Sequence, residues 1–153
     1  MNNDLDNLSF QFFKLFAQYE YALKATGFGK AGNKRLAEPN WDRFAIEIGV
    51  RVLSVEETEV QKARRYLFEL PPKRQIWVNN AVQWEEVPNN DRSVQMLFSH
   101  IRRVRNNLYH GGKFGSRWIA PDRSQELLFN SLVILRALIP LDSNLFEAIH
   151  GAA

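Results

Sequence analysis

The stretch VQMLFSHIRRVRNNLYHGG, residues 94–112, holds the clearest structural signal in the chain. Val94, Leu97, Phe98, Ile101, Val104 and Leu108 recur at steps of three and four, so at about 100° per residue they fall on one apolar stripe of a helix. Gly111 and Gly112 follow as its stop, because glycine enters the left-handed conformation that ends a helix without steric cost. Just before that stop the chain is polar: Arg105, Asn106 and Asn107, then Tyr109 and His110. Arg105 falls at the edge of the stripe with Arg102 and Tyr109 beside it, and Asn106 lies one turn below His110. Such a border suits a cleft against another surface better than open solvent. At a helix C-terminus, unpaired carbonyls and the macrodipole are expected to raise the pKa of His110.

Helical periodicity continues on both sides. Leu8, Phe12, Leu15, Phe16, Tyr19 and Leu23 predict a first helix ending near Thr26 and Gly27, followed by a Gly-, Lys- and Asn-rich connection over residues 27–40. Asn40 is placed as the N-cap of a second helix running from Trp41 through Phe44, Ile48 and Val52. A third spans about residues 56–70 and is closed by Pro71 and Pro72, which cannot continue the hydrogen-bond ladder. IWVNNAVQW, residues 76–84, fits either a short helix or a strand, and residues 88–91 make a turn and cap. A further helix begins near Asp122, carries Leu127, Leu128, Leu132, Leu135 and Leu138, and stops at Pro140; a last short one covers residues 142–149. The expected fold is all-α: one domain over residues 1–153, a bundle of four to five main helices plus short extra helices.

Composition bounds the chemistry. The 153 residues are 45% hydrophobic and 24% charged, enough to bury a core, and there is no cysteine, which excludes disulfides and thiolate metal sites. The opening MNNDLDNLSF is acidic where a signal peptide is basic, and no apolar run approaches the roughly 20 residues of a membrane span, so a cytoplasmic location and no membrane partner are expected. The net charge is +3, but residues 100–118 hold Arg102, Arg103, Arg105, Lys113 and Arg117 with no acid, which is +5 in that window and −2 elsewhere. A local field of that kind favours a phosphate or polyanion partner, although a charge run also fits a solvated helix face.

GFGKAG, residues 27–32, has the glycine spacing of a dinucleotide fingerprint but follows a helix, where that motif must follow a strand, and no P-loop lysine pattern accompanies it. It is expected to be a flexible connection whose Lys30, Lys34 and Arg35 at most touch phosphates. Three scattered histidines without a paired His-Glu-x-x-His make no metal-ligand set, and no cofactor is expected.

Arg105-Asn106-x-x-x-His110, in a C-terminal helix of a helical bundle, resembles the Arg-polar-x-x-x-His signature of HEPN domains. RNNLYHGGK is similar to the surroundings of that signature in prokaryotic members from defence and mobile-element contexts. The likeness is strongest over residues 94–113 and looser over the first helix, in FFKLFAQYEYALKATGFG. It implies a homodimer with the motif helices facing each other and a metal-independent endoribonuclease site between them. On that reading His110 moves protons at the 2′-hydroxyl and the leaving oxygen, Arg105 stabilises charge on phosphorus, and Asn106 orients either one. Arg102, Arg103 and Lys113 would hold RNA phosphates, and Tyr109 would either stack on a base or pack as a core or interface residue. An antitoxin or a sensor protein is a further expected partner. Members silenced by adenylylation carry a tyrosine two residues after the histidine, where this chain has Gly112, so that control is not implied here. The alternative is a non-catalytic nucleic-acid or nucleotide-binding module on the same bundle.

Overall fold

The computed structural model describes residues 3–88, 91–109, 113–114, 117–118 and 120–151. Helix α1, Asn3–Ala25, opens with Asp4 and Asp6 against the positive end of its dipole and buries Phe12, Leu15, Phe16, Tyr19 and Leu23. It ends where Gly27 takes φ +92°, a left-handed turn that lets the Phe28 N–H donate to the Leu23 carbonyl at 2.7 Å. The mainly helical expectation holds, and so does the periodic stripe of this first helix.

The connection after α1 holds regular structure that the sequence reading did not give. Strand β1, Gly29–Ala31, pairs antiparallel with β2, Ala37–Pro39, around a 3₁₀ turn at Asn33–Arg35. The reason is backbone closure at both ends: Gly32 N–H reaches the Leu36 carbonyl at 2.7 Å, and Asn40 N–H reaches the Phe28 carbonyl at 2.6 Å. GFGKAG therefore opens a hairpin.

Asn40 caps α2, Trp41–Glu47, by accepting from the Arg43 N–H at 3.1 Å. The expected second helix does not run on to Val52. It changes to a 3₁₀ segment, Gly49–Ser54, which begins on a glycine whose Cβ would lie 2.4 Å from Cε2 of Phe98. Phe98 fills that space within an aromatic cluster in which Trp41 stacks on Phe16 at 5.4 Å and Phe44 meets Phe98 edge-on at 5.7 Å. Arg64 ties the segment to the next helix, donating to the carbonyls of Val52 at 2.8 Å and Val55 at 3.0 Å.

Helix α3, Thr58–Glu69, buries Val60, Ala63, Leu67 and Phe68 and ends before Pro71 and Pro72, as expected. Residues 76–84, open between helix and strand, belong to a hairpin of β3, Arg74–Val78, and β4, Ala81–Glu85. Asn79 and Asn80 both have positive φ, 53° and 59°, the backbone of the two-residue turn whose twist matches its strands.

Helix α4, Val94–Asn107, buries Val94, Leu97, Phe98, Ile101 and Val104, with Leu108 half-buried just beyond. Its cap is Ser93, which accepts from the Met96 N–H at 3.2 Å, and Asp91 supports it by accepting from the Ser93 N–H and hydroxyl, both at 2.9 Å. The Leu108 N–H is shared between the carbonyls of Val104 and Arg105. The predicted stop at Gly111 and Gly112 lies outside the described residues. Short strands β5, Lys113–Phe114, and β6, Arg117–Trp118, pair next.

Helix α5, Pro121–Leu138, packs on α1 and α3, and the Tyr19 hydroxyl donates to the Leu135 carbonyl between them. With the 3₁₀ turn Ile139–Leu141 that follows, residues Pro121–Leu141 reach 21 residues of membrane-compatible length and apolarity, more than the run-by-run count suggested. Half of an 18-residue window within it is buried inside the fold. Asp142 caps α6, Ser143–His150, which returns to α1. The core joins helices α1 to α6, and each fully buried Phe or Leu contributes about 1.5–3 kcal/mol of transfer free energy.

Candidate nucleic-acid interface at the end of the fourth helix

The outer face of α4 follows from its inner one. With the stripe turned inward, Ser99, Arg102 and Asn106, spaced three and four apart, share an outward face, and Arg102 and Asn106 are exposed. Together with Arg103, Asn107, and Arg74 and Gln75 of β3, they line a polar groove of about 450 Å³. Two contacts hold the hairpin against the helix and so shape the groove. The Asn107 amide donates to the Lys73 carbonyl at 2.7 Å, and Arg103 reaches the Pro72 carbonyl at 3.5 Å.

The groove is basic. Among the described residues no carboxylate forms an ion pair with Arg102, Arg103 or Arg105, whereas Arg74 is paired with Glu85 across the hairpin, its Nε at 2.9 Å from the carboxylate. Arg103 is half-buried, and burial first and the Arg74 charge second lower its pKa from the ordinary arginine value. Its Nη1 also lies 3.1 Å from Nδ1 of the buried His100. Burial, then the nearby Arg103 charge, pulls the His100 pKa from 6.5 to about 4, so this imidazole is neutral at pH 7.

Arg105 sits on the other border of the helix. Its Nη1 donates to Asn106 Oδ1 at 3.1 Å, and its guanidinium lies 4.9 Å from the centre of the Tyr109 ring and 5.9 Å from that of Phe16 on α1. Asn106 thus links Arg105 to the groove, while Tyr109, 65% exposed, lies beneath Arg105. Among the predicted site residues, the structure brings Arg105, Asn106 and Tyr109 into one cluster and Arg102, Arg103 and Asn106 into the groove. His110 and its expected pKa rise lie outside the described residues. Lys113 opens β5, opposite Trp118 in register.

Arg74, Gln75 and Asn107 were not singled out by sequence. The first two reach the groove only because residues 74–85 form a hairpin, for which the tandem Asn79-Asn80 between apolar runs was an available signal. Arg123 was also missed: it caps the end of α3, donating to the Leu70 and Pro71 carbonyls and lying 5.2 Å from the Tyr66 ring centre. Among the described residues no three His, Asp or Glu side chains gather where they could hold a metal ion. No family model, curated protein or solved structure matches this chain.

Proposed function

We propose that this protein is a metal-independent endoribonuclease of the HEPN type, acting as a homodimer through α4. The observation that carries the reading is the Arg105–Asn106 pair at 3.1 Å, joined through Asn106 to a groove whose Arg102 and Arg103 have no carboxylate partner among the described residues. A phosphate backbone in that groove would meet Arg102 and Arg103 along its length and Arg105 at its end. Arginine offers a planar, permanently charged fork matched to phosphate oxygens, and charge that grows on phosphorus during 2′-hydroxyl attack is stabilised by such a group.

His110 supplies proton transfer in this scheme, on the strength of the sequence motif. One histidine takes the 2′-hydroxyl proton, the 2′-oxygen attacks phosphorus, the 5′-oxygen leaves, and a proton returns to it; a two-fold mate supplies the second acid or base. His100 is buried and neutral and belongs to the support of Arg103. A toxin or defence role, with an antitoxin or sensor as partner, goes with this activity.

The test is cleavage of a mixed RNA pool in EDTA. Cut ends carrying 2′,3′-cyclic phosphate are expected. Arg105→Ala and His110→Ala should each lower the rate by on the order of 10²-fold or more while changing RNA affinity far less. Full activity in His110→Ala refutes the scheme. Salt-sensitive binding without any cleavage moves the assignment to a non-catalytic RNA-binding module.

A further inference from the structure

Trp84 and Gln75 are cross-strand partners on the β3–β4 hairpin, yet they serve different spaces: Gln75 lines the basic groove and Trp84 lines a second cavity. That cavity, about 440 Å³, lies between the end of α4, the start of α5 and β4, with apolar walls from Trp84, Val104, Leu108, Leu127 and Leu128. A cleft of this size with a largely apolar and aromatic lining and few polar groups is suited to a small flat ligand. Among the described residues its polar groups are Asn107, Ser124 and the cations Lys73 and Arg123, with no acid.

Asn107 lines both spaces, so groove and cavity adjoin at one residue. Its amide is held by the bond to the Lys73 carbonyl at 2.7 Å, which fixes its orientation at the junction. Cations on one side of Asn107 and an aromatic, apolar cleft on the other are the two surfaces an unpaired nucleotide presents partners for, phosphate and base.

We propose that this cavity receives one nucleobase of a single-stranded RNA held in the groove, with Trp84 as its stacking face and Asn107 as the hydrogen-bonding group at the entrance. The proposal rests on RNA as the ligand of the groove, but not on cleavage. The base is drawn in by stacking and burial and stays tethered to phosphates lying along Arg102 and Arg103.

The experiment is anisotropy binding with the full chain and short 2′-O-methyl RNAs, which keep base and phosphate but cannot be cut by 2′-hydroxyl attack. Matched strands carry one abasic position in turn. Trp84→Ala should weaken binding by about 5- to 100-fold, the range for loss of one base–aromatic stack, and Trp84→Phe should restore most of it. Ser124→Phe, which fills the cavity and leaves Trp84 in place, should weaken binding similarly. An abasic residue at one position should weaken the wild type and leave Trp84→Ala unchanged.

Unchanged affinity in folded Trp84→Ala and Ser124→Phe, with binding still salt-sensitive, overturns the base pocket and leaves the nuclease reading intact. Trp84-dependent binding in a protein that cuts no RNA upholds the pocket while the nuclease reading fails. AMP or UMP binding more tightly than the oligonucleotide, and insensitive to Arg102→Glu, overturns it in favour of a free-nucleotide site. A dimer that dissociates in Trp84→Ala with RNA affinity unchanged overturns it in favour of a contact with a second copy.

Discussion

His100 gives the fold a pH dependence that can be worked out from its surroundings. The ring is fully buried, edge-on to Phe68 at 6.4 Å, and its Nδ1 lies 3.1 Å from Nη1 of Arg103. Arginine has donors only, so Nδ1 must carry the lone pair and the proton of the neutral ring sits on Nε2. Burial and then the Arg103 charge bring the pKa from 6.5 to about 4. Between those values the unfolded chain binds a proton that the folded chain refuses. Stability from this residue is therefore complete above about pH 6.5 and is lost as pH falls towards 4. At about 1.4 kcal/mol per tenfold change in proton affinity, the whole difference is worth roughly 3 kcal/mol, with roughly 2 kcal/mol gone by about pH 4.5. Urea unfolding at both ends of that range measures it. The comparison is His100→Asn, whose Oδ1 can still accept from Arg103 but does not titrate. Carboxylate effects are common to both chains and cancel. The variant should be less stable at pH 7 through lost packing, yet the wild type should lose roughly 2 kcal/mol more on acidification, or about 4–8 °C in Tm. Equal losses in the two chains, or a His100 that titrates near 6.5 by NMR, refute the reasoning.

Gly49→Ala should destabilise the fold by about 1–3 kcal/mol, since its Cβ meets the buried Phe98 ring; Gly32→Ala, which meets only the end of the exposed Glu38 side chain, should cost far less in the same thermal melts. Ser93→Ala removes the α4 cap and should cost about 1 kcal/mol by urea titration, while a change indistinguishable from zero would mean that Asp91 takes over the capping. Affinity for single-stranded RNA should fall steeply between about 50 and 200 mM salt, and Arg102→Glu should flatten that dependence by at least about one phosphate contact; binding indifferent to salt rules out the basic groove.

Local chemistry alone was enough to write most of the helices. The stripe from Val94 to Val104, the cap at Asn40 and the proline stop at Pro71 are all settled within a turn or two of chain, which is why they could be seen without a fold. The same period placed Arg105 beside Tyr109 and Arg102 next to both, whereas in the fold Arg102 shares an outward face with Asn106. It could not say what that face meets. The second helix gives way to a 3₁₀ segment at Gly49, where Phe98, nearly fifty positions away in sequence, leaves no room for a Cβ. Residues 76–84 were ambiguous because a short apolar run fits a helix or a strand equally well until a partner is in register; pairing Gln75 with Trp84 puts one wall on the groove and another on the cavity. His100 carries the same lesson in electrostatics. Its low pKa comes first from burial, with Phe68 of α3 packed edge-on to the ring, and then from the charge of Arg103 one turn along the same helix. Helix period and capping act over about four residues, so sequence alone determined the main helices and their apolar faces; strand pairing, the break in the second helix, burial and cleft formation depend on groups brought together from distant positions, and only the tertiary structure decided them.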